Sequence, residues 1–304
     1  MSAQPSRRIR VIYNLQAGMK AGLPTNRASA DQIRELMARY GLGEELVATE
    51  SEEDAVRAVR EAARAGYDVV VAAGGDGTAG TVACEILDTA TALAVLPLGS
   101  VMNIARMLEI PRDLEAATAI IAGGETHTID VGEAKGTIFF EAASVGMNAA
   151  IFREAQRFDA GEYRSFFTGL WVAMRYNPAR MRIYLDDGMV RSRALMVTVA
   201  NGPYTGIGFT VAPSARLDDG KFDVRVFQRF SRWELVRHFG AIAFGRRRYS
   251  PKVRTYRSAR VRIESVHPLP CRADHHDLGT TPVDFVVRKA ALRVVVPHAP
   301  RGLE

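Results

Sequence analysis

Apolar positions follow two rhythms over the first 125 or so residues. Short apolar runs at Ile9 to Tyr13, Glu45 to Thr49, Val69 to Ala73 and Leu93 to Leu96 read as strands. Between them, apolar residues recur every three or four positions. Ile33, Leu36, Met37 and Tyr40 form one helical stripe stopped by Gly41, and Ala55, Val56, Val59, Ala62 and Ala63 form another closed by Gly66. Val82, Ile86 and Leu87 mark a third helix, a short one ends before Pro111, and Asp113 to Ile121 stops at Gly123 and Gly124. Strand alternating with helix predicts an α/β domain with a parallel sheet over residues 1–127.

From about residue 128 the rhythm shortens. Thr137 to Ala142, Arg180 to Leu185, Ala194 to Ala200, Lys221 to Phe227, Ser258 to Ile263 and Val283 to Val287 predict a mainly antiparallel β-sandwich over residues 128–290. Leu292 to Val296 is a strand ended by Pro297, and residues 291–304 complete the first domain. Two helical stretches interrupt the strands, Phe166 to Arg175 and Ser231 to Phe244. Their apolar stripes carry basic flanks, at Arg164 and Arg175 and at Arg246, Arg247 and Arg248, which suits either core packing or an anionic bilayer surface.

The strand Val69 to Ala73 runs into Gly74-Gly75-Asp76-Gly77-Thr78. Glycines at 74, 75 and 77 free the turn for positive φ and let an anion approach the backbone, while Thr78 is placed to cap the following helix. The end of that helix offers unpaired N–H groups to a phosphate. A carboxylate beside phosphate is repulsive without a cation, so Asp76 suggests Mg²⁺. The segment is neither a Gly-x-Gly-x-x-Gly fingerprint nor a Walker loop. Ser100 either donates to a phosphate oxygen or caps its helix. Lys20 and Arg106 either neutralise phosphate charge or are solvated. Asp218, Asp219 and Asp223 around Gly220 read as a hairpin turn.

Composition narrows the partners. The chain has 304 residues, 47% of them hydrophobic, enough for a large core in one or two domains, and its net charge of +6 favours nucleotide, anionic lipid or nucleic acid. Nucleic acid is disfavoured, because basic residues are scattered without interleaved aromatics. Cys84 and Cys271 are far apart and suggest a reducing, cytoplasmic setting, and no apolar run reaches 18 residues, which predicts a soluble protein at most peripheral to a membrane. Cys271, Asp274, His275, His276 and Asp277 carry metal-ligating groups, but adjacent histidines on an extended segment face opposite ways, against zinc.

Four stations, in order, make the chain resemble the diacylglycerol kinase catalytic family of bacterial soluble lipid kinases and sphingosine and ceramide kinases. They are Asn14-Leu15-Gln16-Ala17-Gly18; Gly74 to Thr78; Pro97-Leu98-Gly99-Ser100 with Asn103, Ala105 and Arg106; and Asn201-Gly202 with Ala212-Pro213, Ala215 and Leu217 to Asp223. The resemblance implies an ATP- and Mg²⁺-dependent lipid kinase acting on a hydroxyl of diacylglycerol or a related lipid at an anionic membrane surface. It implies phosphates on Gly74, Gly75, Asp76, Gly77 and Thr78, with Asn14, Thr49 and Ser100 around the nucleotide. It offers Asp274 as general base, with Asp76 the alternative, and a structural Mg²⁺ on Asp218, Asp219 and Asp223. Gly80-Thr81 replaces the family's Asn-Glu, Asn103 replaces a carboxylate, and Asp274-His275-His276 replaces Asp-Gly-Glu. His276 then becomes a proton acceptor near neutral pH or an exposed loop residue. NAD kinase, which shares the glycine loop, and a nucleotide- or lipid-binding protein without transfer activity are the alternatives. The oligomeric state, a homodimer included, stays open.

Overall fold

The computed structural model describes residues 7–17, 19–20, 23–24, 26–150, 176–206, 208–228, 230, 234, 237 and 252–298. The chain forms two compact units, residues 1–130 with 290–304, and residues 131–289. The stripe at Phe166 to Arg175, and the one at Ser231 to Phe244 apart from Glu234 and Arg237, lie outside the described residues.

In the first unit, strands Ile9–Asn14, Leu46–Thr49, Val69–Gly74 and Ala92–Pro97 pair in parallel, with Val11 beside both Leu46 and Val71, and Val70 beside Leu93. Strands Val69–Gly74 and Ala92–Pro97 are buried at every position. Continuous burial is the mark of a parallel sheet covered on both faces, and it explains why these runs are apolar throughout instead of alternating. The helices have legible ends. Helix Ala30–Tyr40 opens on a capping box, in which the Ser29 hydroxyl accepts from the Gln32 N–H at 3.2 Å and the Gln32 side chain accepts from the Ser29 N–H at 2.8 Å. Gly41 stops it in the left-handed conformation, φ +66°. Helix Glu52–Arg64 starts at Ser51 with three acids in its first turn, where the helix dipole favours them. The chain returns through strand Val283–Val296, whose Arg293 and Val294 lie parallel beside Ala92 and Leu93.

The second unit is a sandwich of antiparallel strands. One layer contains Gly188–Ala194, Ala179–Leu185, Arg260–Ser265 and the first residues of Val283–Val296. The other orders Val253–Ser258, Phe222–Phe227, Met196–Ala200, Ala142–Gly146, Pro270–Ala273 and His276–Thr280. Phe139, Val145, Ile183, Val197, Val224, Val261, Ile263 and Phe285 fill the core between them. Phe139 stacks on Phe222 with ring centres 5.6 Å apart and meets Phe285 edge-on at 6.3 Å.

Some expected elements change. Thr137 to Ala142 divides into strands Thr137–Phe139 and Ala142–Gly146, and the Ser258 to Ile263 run spans the end of one strand and the start of the next. The expected hairpin around Gly220 is a bend leading into Phe222–Phe227, whose partners are Met196–Ala200 and Val253–Ser258. Asp-Asp-Gly encodes a reversal of the chain, but long-range pairing decides which strands meet.

Candidate functional site

Parallel register brings several separated motif residues to one edge of the first unit's sheet. Asn14 lies beside Thr49, Tyr13 beside Ala73, and Gly74 beside Pro97, so the carboxyl ends of four strands share a row. This edge is where open α/β sheets bind ligands.

Helix Asp76–Glu85 begins there. Its N-cap is Gly75, extended at φ −85° and ψ −174°, and no side chain caps it. Thr78 therefore lies inside the helix, correcting its expected role as the cap. Ala79 is the first residue to bond back, to the Gly75 carbonyl at 3.0 Å, so the N–H groups of Asp76, Gly77 and Thr78 have no helical acceptor. The Thr78 hydroxyl instead accepts from the Asn14 amide at 3.0 Å, and Asn14 Oδ1 accepts from the Gln16 N–H at 2.9 Å. None of Gly74, Gly75 and Gly77 adopts positive φ, contrary to the sequence reading. Close packing is what demands glycine at 74, because a Cβ there would lie 2.4 Å from Thr78 Oγ1 and 2.5 Å from Thr78 Cβ. Gly74→Ala is accordingly expected to cost about 1–3 kcal/mol in urea unfolding and to weaken nucleotide binding; unchanged stability would contradict this packing.

Asp76 joins this helix to the next loop. Its Oδ1 accepts from the Ile104 N–H at 2.9 Å, closing the start of the five-residue helix Asn103–Met107, and Oδ2 makes no hydrogen bond among the described residues. The N-cap of that short helix is Met102 at φ +58°, so Ser100 is not its cap. Leu98 donates to the Gly74 carbonyl at 3.0 Å. Two residues that sequence reading missed hold the loop: the Asn26 amide donates to the Pro97 and Arg112 carbonyls, and Arg112 donates to the Gly99 carbonyl at 2.9 Å. Asn26 reaches across 71 and 86 residues, so no local spacing announces it. Thr49 is buried, its hydroxyl donating to the Tyr13 carbonyl at 3.3 Å, while Arg106 is exposed. Lys20 lies in the two-residue strand Met19–Lys20.

In the second unit Asp274 sits at φ +43° and gathers backbone donors. Its Oδ2 accepts from Phe140 at 2.8 Å, and its Oδ1 accepts from Glu141 at 3.1 Å and Ala142 at 3.0 Å. The same segment receives the Asn201 station: the Asn201 and Gly202 N–H groups both donate to the Glu141 carbonyl at 3.0 Å, and the Asn201 amide donates to the Phe140 carbonyl at 3.1 Å. Burial raises the Asp274 carboxyl above its usual value, opposed by the three backbone donors and Arg272. His276 is exposed, its ring 3.9 Å from that of His275. The Cys271 thiol is buried and donates to the Leu269 carbonyl.

The three aspartates expected to share an ion are not gathered for one. Asp218 receives Arg216 through two hydrogen bonds at 3.1 and 3.3 Å. Asp219 receives Arg257 and the Lys221 N–H. Asp223, 1% exposed, receives Ser214 at 3.0 Å and Arg225 at 3.5 Å, and burial pushes its carboxyl up against those two partners. Among the described residues no group of three acidic, histidine or cysteine side chains converges on a metal position. Each of these carboxylates already has a guanidinium partner, with which an ion there would compete. Thermal melting followed with and without EDTA, in the absence of nucleotide, should coincide.

Both units match known sequence families. Residues 8–134 match the diacylglycerol kinase catalytic domain, and residues 141–296 match the YegS C-terminal NAD kinase beta sandwich-like domain. The chain is 30% identical to a Pseudomonas aeruginosa protein named probable lipid kinase YegS-like, over 96% of this chain and 94% of that one. It is 26% identical to the diacylglycerol kinase of Bacillus subtilis, over 96% and 97%. The crystal structure of a diacylglycerol kinase from Bacillus anthracis shares the fold with a TM-score of 0.74 at 19% identity, covering 96% of this chain and 98% of that one. With its glycine loop in the first match and its antiparallel sandwich in the second, the chain belongs to the diacylglycerol kinase catalytic family with a YegS-type second domain, and it is a lipid kinase.

Proposed function

We propose that this kinase uses ATP with Mg²⁺ to phosphorylate a hydroxyl of diacylglycerol or a related lipid, as a peripheral enzyme on the cytoplasmic side of an anionic membrane. The observation that carries the reading is the row of uncapped N–H groups at Asp76, Gly77 and Thr78, beside a carboxylate with one uncommitted oxygen.

Those amides would hold phosphate oxygens at the positive end of the helix dipole. Asn14 holds the Thr78 hydroxyl, and Asn26 and Arg112 fix the neighbouring loop. Asp76 Oδ2 suits magnesium, because a nucleotide-bound Mg²⁺ keeps several waters and takes only one or two protein carboxylates. Bound there, the nucleotide would supply the transferable γ-phosphoryl group and its metal would offset the developing charge. Asp274 would take the proton of the lipid hydroxyl, since Oδ2 accepts a single N–H and retains a lone pair, and burial strengthens it as a base. Among the described residues no helix is long and apolar enough to cross a membrane, and a peripheral enzyme needs none.

Purified protein incubated with γ-labelled ATP, Mg²⁺ and a total lipid extract should yield a labelled phospholipid that comigrates with phosphatidic acid or a related phosphomonoester. Label appearing in NADP after addition of NAD, with none in lipid, would replace this reading with the NAD kinase one.

A further inference from the structure

We propose that the outer face of the Gly188–Ala194, Ala179–Leu185 and Arg260–Ser265 sheet in the second unit docks on an anionic lipid bilayer. Along these strands the residues facing the core are Met181, Ile183, Ser192, Ala194, Val261 and Ile263, all buried. The alternate positions carry Arg180, Arg182, Arg191, Arg193, Arg260 and Arg262, all exposed.

Register sharpens the point. Arg180 lies directly opposite Arg193, and Arg182 directly opposite Arg191. Like charges facing each other across an antiparallel pair destabilise it, so the fold alone does not favour this arrangement. Carboxylates on the face offset it only in part. Glu264 lies 3.8 Å from Arg182 and accepts from Arg262, which also reaches Asp284. Arg193 spends one N–H on the Pro178 carbonyl, and Arg180 and Arg191 have no acidic partner among the described residues.

Charge complementarity selects an anionic partner, and the apolar content of the face selects a bilayer. Met189, opposite Tyr184, is 42% exposed, and Val286, opposite Arg260, is 39% exposed. A sheet face with two exposed apolar side chains among arginines matches a plane of phosphate headgroups over acyl chains. RNA is served less well. Tyr184 is the one aromatic at these outward positions, and its hydroxyl is tied to Glu264 at 3.2 Å, which leaves no stacking platform. The choice of bilayer over other polyanions rests on the lipid-kinase reading, whereas the charge pattern does not.

The test is sedimentation of the full-length protein with vesicles of phosphatidylcholine alone and of phosphatidylcholine containing one third phosphatidylglycerol, with and without added salt. Wild type should bind the anionic vesicles in a salt-sensitive way. The variant carrying Arg180→Gln, Arg182→Gln, Arg191→Gln and Arg193→Gln should bind them about tenfold or more weakly. Its melting temperature should not fall, because the opposed charges are gone. Arg191→Gln alone, on the edge strand of the sheet, gives a smaller loss in the same direction if the fourfold variant folds poorly. Equal vesicle binding by wild type and variants would overturn the proposal, as would wild-type binding to RNA without binding to anionic vesicles. Phosphorylation of detergent-dispersed diacylglycerol is a separate reading: both proteins should perform it alike, and its absence from wild type would remove the proposed substrate without altering the vesicle result.

Discussion

Asp274→Asn is expected to lower the turnover of lipid phosphorylation by about 10²–10⁴-fold, the usual contribution of a positioned general base. The asparagine keeps the size and shape of the side chain but cannot take the hydroxyl proton. It also offers one acceptor oxygen where three backbone N–H groups now converge. Its amide nitrogen would face one of those donors, at a stability cost of about 1–3 kcal/mol. Titration separates the catalytic effect from the structural one. Burial raises the Asp274 carboxyl above 3.8, so the acid limb of the wild-type rate profile should lie above that value and disappear from the residual activity of the variant. The sign for stability follows from the same shift. The folded chain holds this proton more tightly than the unfolded chain does, so the associated stabilisation is complete below about 3.8 and is lost as pH rises through the folded value. Asp274→Asn should flatten that part of the stability curve. Wild-type turnover in a folded Asp274→Asn protein would exclude the residue as the base.

Phe139→Ala is expected to cost about 3–5 kcal/mol of unfolding free energy. The ring is fully buried, stacked on Phe222 and edge-on to Phe285, and it fills the space left by Gly132 on the paired strand. A Cβ at position 132 would come within 2.2 Å of the ring. Glycine at 132 and phenylalanine at 139 are therefore a complementary pair: removing the ring leaves a cavity under both layers of the sandwich, and Gly132→Ala overfills the same space. Urea unfolding monitored by circular dichroism measures the loss. A change below about 1 kcal/mol would mean that the core collapses around the gap instead of depending on the ring.

Much of the first unit was legible because its signals are local. Strands buried on both faces appear as unbroken apolar runs, and Gly41 and the Gly123-Gly124 pair stop helices whose stripes are plain in the sequence. The carboxyl-edge site was legible too, since each strand delivers its motif at its own end. The errors arose where a residue's role depends on a distant neighbour. Thr78 has the chemistry of a helix cap, yet the helix starts at Gly75 and the hydroxyl serves Asn14. Ser100 sits before a left-handed turn at Met102 that no composition signals. Around Gly220, Asp218 and Asp223 pair with Arg216 and Arg225, each two residues away, whereas the Asp219 pairing with Arg257 spans 38 residues and has no local signal. Strand Glu125–Ala134, which begins in the first unit and ends in the second, mixes charged and threonine positions, and in the second unit Pro270–Ala273 and His276–Thr280 are too short for alternation to register.

The most direct test of the account is where nucleotide binds. In amide spectra of the isotope-labelled protein, addition of a non-hydrolysable ATP analogue with Mg²⁺ should shift the resonances of Gly75, Asp76, Gly77 and Thr78 most strongly, with smaller shifts at Asn14 and Ser100. Strong shifts confined to other residues, with these amides unmoved at saturation, would contradict the assignment of the phosphate site to this helix start.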